Sequence, residues 1–245
     1  DLNAMTTTGG RAFVLEVMGR NAGWLAAACA LAADSPDCAP HIILLPEVPF
    51  DEVPFMTRVR ETVERLGSCA IVVAEGLRGT DGQILSMQAQ HPKGYVQLGG
   101  AGEAIADRIH SELGYKVHYA VADYLQRAAR HLASRTDTNQ AFAVGKAAVR
   151  RALAGEGGVI GIKRLSGRPY RWRTIQVAFE KVANLERTLP PDFIAADGLG
   201  VTGDFRNWCR PLIAGEDLPP FVDGLPDYLH LQLPLLARLL PEYEP

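Results

Sequence analysis

The sequence has no long hydrophobic run, no cysteine framework and no surplus of charge of either sign. Its longest apolar stretch, Trp24 to Ala33, is about half of what a membrane-spanning helix needs. No basic segment followed by an apolar one opens the chain, so no secretory leader is read there. The four cysteines are Cys29, Cys38, Cys69 and Cys209. None forms a C-x-x-C pair or has a histidine at finger-like spacing, which argues against structural zinc. Two of them lie in apolar runs, as reduced buried thiols do. A reducing cytosol is the simplest setting, so a cytoplasmic location is expected. Lys+Arg 25 against Asp+Glu 28 leaves a net charge of −3. That balance suggests neither a nucleic-acid nor a membrane partner, but a few arginines suffice for a small anion. There is no G-x-S-x-G, no H-E-x-x-H and no internal repeat. Gly145-Lys146 is no phosphate loop, because Gln140 stands where its first glycine belongs. The six histidines are scattered, and His110 and His131 read as surface or hydrogen-bonded positions rather than ligands.

What is present is ordinary globular composition: 245 residues, 47% hydrophobic, 22% charged, with Gly 24 and Pro 16. That rules out collagen-like and disordered classes. Strand and helix patterns alternate. Residues 11–17 read as a strand, 21–33 as an Ala-rich helix and 41–45 as a strand stopped by Pro46. Asp51 to Leu66 reads as a helix with Met56, Val59, Val63 and Leu66 on one face. Residues 69–74 form a further strand, and Gly79-Thr-Asp-Gly82 a turn. A helix is expected over 102–113 and a strand over 116–122. A long helix follows from about Thr136 to Ala154, opened by Ser134-x-x-Asp137 and closed by Gly155. Residues 159–164 are again strand-like. Beyond Arg168 the pattern weakens, with a further strand through Phe179 and one helix near Val201 to Ile213.

Apolar strands separated by helices argue for parallel βαβ units in an α/β fold. Such sheets bind ligands at the carboxyl ends of their strands. The residues to watch are therefore those after Val17, Ala74 and Ala122. Met18-Gly19-Arg20 opens a helix: the glycine allows close backbone approach, and the helix start and guanidinium suit phosphate. A tight turn with a solvated arginine reads equally from the pattern. Glu75 at its strand end suits a sugar hydroxyl, or is a surface carboxylate. Tyr124 and Arg127, three apart, share a face if helical. They form either a phosphate clamp or part of a solvated amphipathic helix. Leu98-Gly-Gly-Ala-Gly102 opens another helix and is a weaker candidate anion site.

Together these segments resemble the 6-phosphofructokinase family, most closely its pyrophosphate-dependent branch. The resemblance rests on Arg11-Ala-Phe-Val-Leu-Glu-Val-Met-Gly-Arg20 with Gly23-Trp24, on Pro46-Glu-Val-Pro-Phe50 and on Val73-Ala-Glu-Gly76. Tyr124-x-x-Arg127 and Ala141-Phe-Ala-Val-Gly-Lys-Ala-Ala-Val149 with Ala154-Gly-Glu156 complete it. It implies a three-layer α/β/α lobe over 1–165 and an irregular extension over 166–245 that packs back on it. It implies phosphoryl transfer from pyrophosphate to the 1-hydroxyl of fructose 6-phosphate, a glycolytic step, with Mg²⁺. Met18 and Gly19 would contact the sugar phosphate through their backbone. Arg20 would stabilise the transferring phosphoryl group, Glu75 would bind a sugar hydroxyl, and Tyr124 and Arg127 would hold the 6-phosphate. Arg11 and His118 would reach a neighbouring subunit's phosphate, which implies at least a dimer.

Three departures stand out. Asn21 replaces a usual His and is expected to alter helix capping. His118 replaces a usual Arg or Lys, which puts the cross-subunit contact in question. His41 replaces an acidic effector-site residue, so the effector control of the bacterial ATP enzymes is not expected. The family's donor loop, general base and metal ligands do not occur in the sequence. With its start at Asp1 and no initiator Met, the chain is expected to be the acceptor half, inactive alone, with no metal ligands of its own. A non-catalytic sugar-phosphate-binding subunit and an ATP-dependent kinase are the alternatives.

Overall fold

The computed structural model describes residues 2–85, 87–90, 96–235 and 237. A short helix α1 (Leu2–Thr6) precedes strand β1 (Ala12–Val17). Helix α2 (Trp24–Ala28) is far shorter than the 21–33 helix expected, and a 3₁₀ turn over Cys29–Ala32 continues it. Just before the helix, the Gly23 amide is taken by the Glu47 carboxylate. At the other end Arg206 donates to the carbonyls of Ala30 and Ala33, at 2.5 and 3.1 Å. Those bonds anchor the end of the 3₁₀ turn.

Strand β2 (Ile42–Leu44) leads to α3 (Glu52–Leu66). The side chain of Asp51 accepts from Val53 N at 3.1 Å and caps α3, an interaction generally worth about 1 kcal/mol. Gly67 ends the helix with φ 82°, a conformation that favours glycine. Strand β3 (Cys69–Ala74) is buried along its whole length. A small antiparallel pair, β4 (Met87–Gln90) and β5 (Val96–Leu98), precedes α4 (Ala101–Leu113). Strand β6 (Val117–Val121) then leads to a one-turn helix α5 (Leu125–Ala128).

Strands β2, β3, β1 and β6 form one parallel sheet in that order. Alternate residues feed two cores. Ile42, Leu44, Ile71 and Val73 pack with Phe55, Met56 and Val59 of α3 and Ile105 and Ile109 of α4. Ile43, Leu45, Val72 and Ala74 face the other way, onto Ala26, Ala27 and Phe205. Period-two alternation on a sheet covered on both faces is what makes these strands read as continuous apolar runs. Cys69 lies in this core, and burial pushes its thiol up to about 12. All four cysteines are unpaired: Cys69 and Cys209 are buried, Cys29 is half-buried and Cys38 is exposed.

Helix α6 (Arg135–Leu153) starts where the sequence predicts, with Ser134 Oγ accepting from Asp137 N at 3.1 Å. Residues 159–164 do not extend the parallel series. They belong to β7 (Val159–Gly167), which forms an antiparallel hairpin with β8 (Tyr170–Val177). This hairpin spans residue 165, the lobe edge proposed from sequence. The Arg164 guanidinium lies 4.8 Å from the Tyr170 ring and 4.7 Å from that of Trp208, which ties the hairpin to α7 (Gly203–Cys209). A minimal pair, β9 (Phe221–Val222) and β10 (Leu225–Pro226), follows. Helix α7 packs back on α2 through an aromatic cluster. The ring of Trp24 lies 6.4 Å from Phe193, 6.4 Å from Phe205 and 5.2 Å from Trp208.

Candidate functional site

Because β3, β1 and β6 are neighbours, their carboxyl ends place three loops side by side. These are the loops the sequence marks out. Gly19 N donates to Glu75 Oε1 at 3.2 Å, and Gly76 N donates to Gly19 O at 3.1 Å. Met18 N donates to Gln126 Oε1 at 3.3 Å, joining the β1 loop to the β6 loop. Met18, Gly19, Arg20, Glu75, Tyr124 and Arg127 therefore stand on three adjoining loops at one end of the sheet. Gly76 is the tightest point: a Cβ there would lie 1.8 Å from the carbonyl oxygen of Arg20.

The third loop turns at Asp123, whose φ of 41° puts a non-glycine residue in the left-handed region. Such strain is generally held in place only by surrounding structure. It delivers Tyr124 and Arg127 onto one face, with the guanidinium 5.5 Å from the phenol ring centre. Both side chains are exposed at the strand end, where an anion could meet a hydroxyl and a planar cation together.

Arg11 and His118 lie elsewhere. Phe13 pairs with His118 in the sheet, so both residues sit at the amino-terminal end. At ~3.3 Å per residue they are some ~20 Å from Met18. The described chain does not bring them to the loop cluster. Arg11 Nη1 donates to Gly67 O at 3.1 Å, and the His118 side chain is exposed.

Several sequence expectations change here. Asn21 does not cap α2, whose N-cap is Gly23 with no side-chain bond. Asn21 accepts from Arg78 at 3.1 Å and donates to Glu186 at 2.6 Å, linking two loops. At the α2 amino terminus Glu47 takes the Gly23 amide, so that one donor is not open to an anion. The Gly-rich start of α4 is filled as well. Gly102 N donates to Glu16 Oε2 at 2.8 Å, with Glu16 only 2% exposed. His41 is tied into the sheet: Ala70 N donates to its Nδ1 at 2.8 Å, and burial pushes its pKa below the usual value. The bonds that Gln126, Glu47 and Glu16 make were not readable in the sequence, because their partners lie 24 to 142 residues away.

Burial raises the Glu16 carboxyl above its usual value. The amides of Gly102 and Gly100 oppose the shift, and the negative charges of Glu75 and Asp123 add to it. A raised carboxyl pKa stabilises the fold fully below the ordinary value of 4.5. That contribution is lost as the pH rises through the folded-state value. Glu16→Gln keeps a carbonyl for Gly102 N and carries no charge. Its melting temperature relative to the unsubstituted chain is expected to rise from pH 4.5 to 8, measured by thermal denaturation. A difference independent of pH would contradict the assignment.

A parallel sheet clad by helices, with polar loops gathered at its carboxyl edge, defines an α/β protein of the kind whose ligands generally bind at that edge. The chain belongs to the phosphofructokinase family: the model described as "Phosphofructokinase" matches residues 2–152. A pyrophosphate–fructose 6-phosphate 1-phosphotransferase of Halomonas elongata is 48% identical over 246 residues, covering 100% of this chain and 59% of that protein. The protein of the same name from Methylococcus capsulatus is 50% identical over 233 residues, covering 94% of this chain and 56% of its own length. The crystal structure of a pyrophosphate-dependent phosphofructokinase from Marinobacter aquaeolei superposes with a TM-score of 0.84 at 44% identity. It covers 98% of this chain and 58% of its own. The chain thus spans less than two thirds of these relatives.

Proposed function

We propose that this chain supplies the acceptor half of a pyrophosphate-dependent 6-phosphofructokinase. The observation that carries the reading is the meeting of Met18–Arg20, Glu75 and Tyr124–Arg127 on three adjoining loops at the strand ends. Tyr124 and Arg127 hold the 6-phosphate as a hydroxyl and a guanidinium fork. Glu75 positions Gly19 and accepts from a sugar hydroxyl. Arg20 extends toward the transferring phosphoryl group and offsets the negative charge that builds there. Arg11 and His118, at the opposite end of the sheet, serve the site of a second copy, so the working form is at least a dimer. The location is cytoplasmic, and among the described residues no helix is long and apolar enough to cross a membrane.

The family implies Mg²⁺. Among the described residues no group of three or more His, Cys, Asp or Glu could hold a metal. These described residues therefore do not by themselves fit a magnesium site. Donor-side groups belong to the length by which the relatives exceed this chain. A coupled assay tests the reading. With Mg²⁺, an enzyme carrying this chain together with its donor half is expected to turn over fructose 6-phosphate with pyrophosphate and not with ATP. Turnover with ATP alone would move it to the ATP-dependent branch. Binding without turnover on either donor would make it a sugar-phosphate-binding subunit.

A further inference from the structure

The loop between β1 and α2 is pinned at both ends by carboxylates from neighbouring strands. Glu75 accepts from Gly19 N at one end. At the other, Glu47 accepts from Gly23 N through Oε1 at 2.9 Å and Oε2 at 3.1 Å. Arg20 lies between the two pins. Glu47 Oε1 also accepts from Leu189 N at 2.7 Å. Leu189 ends a strap that grips the same loop twice more. Glu186 accepts from Asn21 at 2.6 Å, and the Arg187 carbonyl accepts from the Trp24 indole at 2.7 Å. Glu47 is thus a single side chain bonded to both the loop and the strap. The fit is close, since a Cβ on Gly23 would lie 2.8 Å from Glu47 Oε2 and 2.7 Å from Leu45 Cδ2.

We propose that Glu47 is a positioning residue for Arg20. Its carboxylate locks the Gly23 end of the loop to the strap, and without it the loop pivots about the Glu75 pin and the guanidinium leaves its place. The proposal rests on the fructose 6-phosphate reading for its effect on ligand, but its effect on the loop is independent of that reading. A carboxylate accepting two amides forms charge-assisted bonds, and their loss leaves both donors unsatisfied. The strap belongs to the segment beyond α6, so the proposal also gives that segment a part in the site.

The test compares Glu47→Ala, Glu47→Gln and Glu47→Asp with the unsubstituted 245-residue chain by amide NMR and by calorimetry with fructose 6-phosphate. Glu47→Ala is expected to shift the Gly19 amide, which Glu47 does not touch, as well as those of Gly23 and Leu189. Because the same loop carries the Met18 and Gly19 backbone groups, affinity for fructose 6-phosphate should fall about tenfold, more than loss of the Arg20 side chain alone produces. Glu47→Gln, which keeps one oxygen for both donors, should restore most of the affinity and the Gly19 shift. If Glu47→Ala does not fold, Glu47→Asp, which keeps the charge but shortens the reach, carries the same comparison. Changes confined to Gly23 and Leu189, with Gly19 and affinity unmoved, would overturn the proposal. An unsubstituted chain that binds no fructose 6-phosphate would refute the site reading, while the Gly19 shift would still decide the positioning role.

Discussion

Replacing Gly76 by Ala is expected to destabilise the chain by about 2–4 kcal/mol and to weaken fructose 6-phosphate binding about a hundredfold. The new Cβ would stand 1.8 Å from Arg20 O and 2.4 Å from its carbonyl carbon. Both are backbone atoms, so no rotamer change relieves the overlap. The Arg20 peptide has to move, and with it the bond from Gly76 N to Gly19 O. Leu77 beside it is buried, so Gly76 has little room to retreat. The damage therefore falls on the loop that presents the Met18 and Gly19 backbone, on which ground-state binding relies, together with Arg20. Denaturant melts and calorimetry check both parts. Gly145→Ala is the control: nothing lies within 4 Å of its Cβ position, and a helical Ala should add up to about 1 kcal/mol. A Gly76→Ala chain that binds like the unsubstituted one would show that the contact does not shape the site.

The second large effect is on chemistry. In an enzyme carrying this chain with its donor half, Arg20→Ala is expected to lower kcat about 10³-fold. The KM for fructose 6-phosphate should stay within about threefold. On the proposed reading Tyr124 and Arg127, on a loop separate from that of Arg20, hold the 6-phosphate, so ground-state binding is expected not to depend on Arg20. Charge on the transferring group does. Steady-state kinetics separate the two. A mainly KM effect would assign Arg20 to ground-state binding instead.

Much of this architecture was legible because it is local. The Met56/Val59/Val63/Leu66 stripe announces α3 and its buried face. The apolar runs at 41–45 and 69–74 announce buried strands, and the strand-end rule pointed to the three loops that meet. What escaped depends on partners distant in the chain. The short α2 is flanked by contacts from far along the chain: Glu47 takes the Gly23 amide before it, and Arg206 takes the Ala30 and Ala33 carbonyls after it. Glu16 reads as an ordinary alternating strand residue until α4 places Gly102 N over it. The strand at 159–164 carries the apolar pattern of its predecessors, and only β8 shows that it pairs in a hairpin.

Calorimetric titration of the chain with fructose 6-phosphate tests the central claim most directly. One molecule is expected to bind per chain, with Arg127→Ala removing most of the affinity and unphosphorylated fructose giving no comparable heat. Absence of binding, or binding indifferent to Arg127 and to the phosphate, would contradict the assignment of these loops to a sugar phosphate.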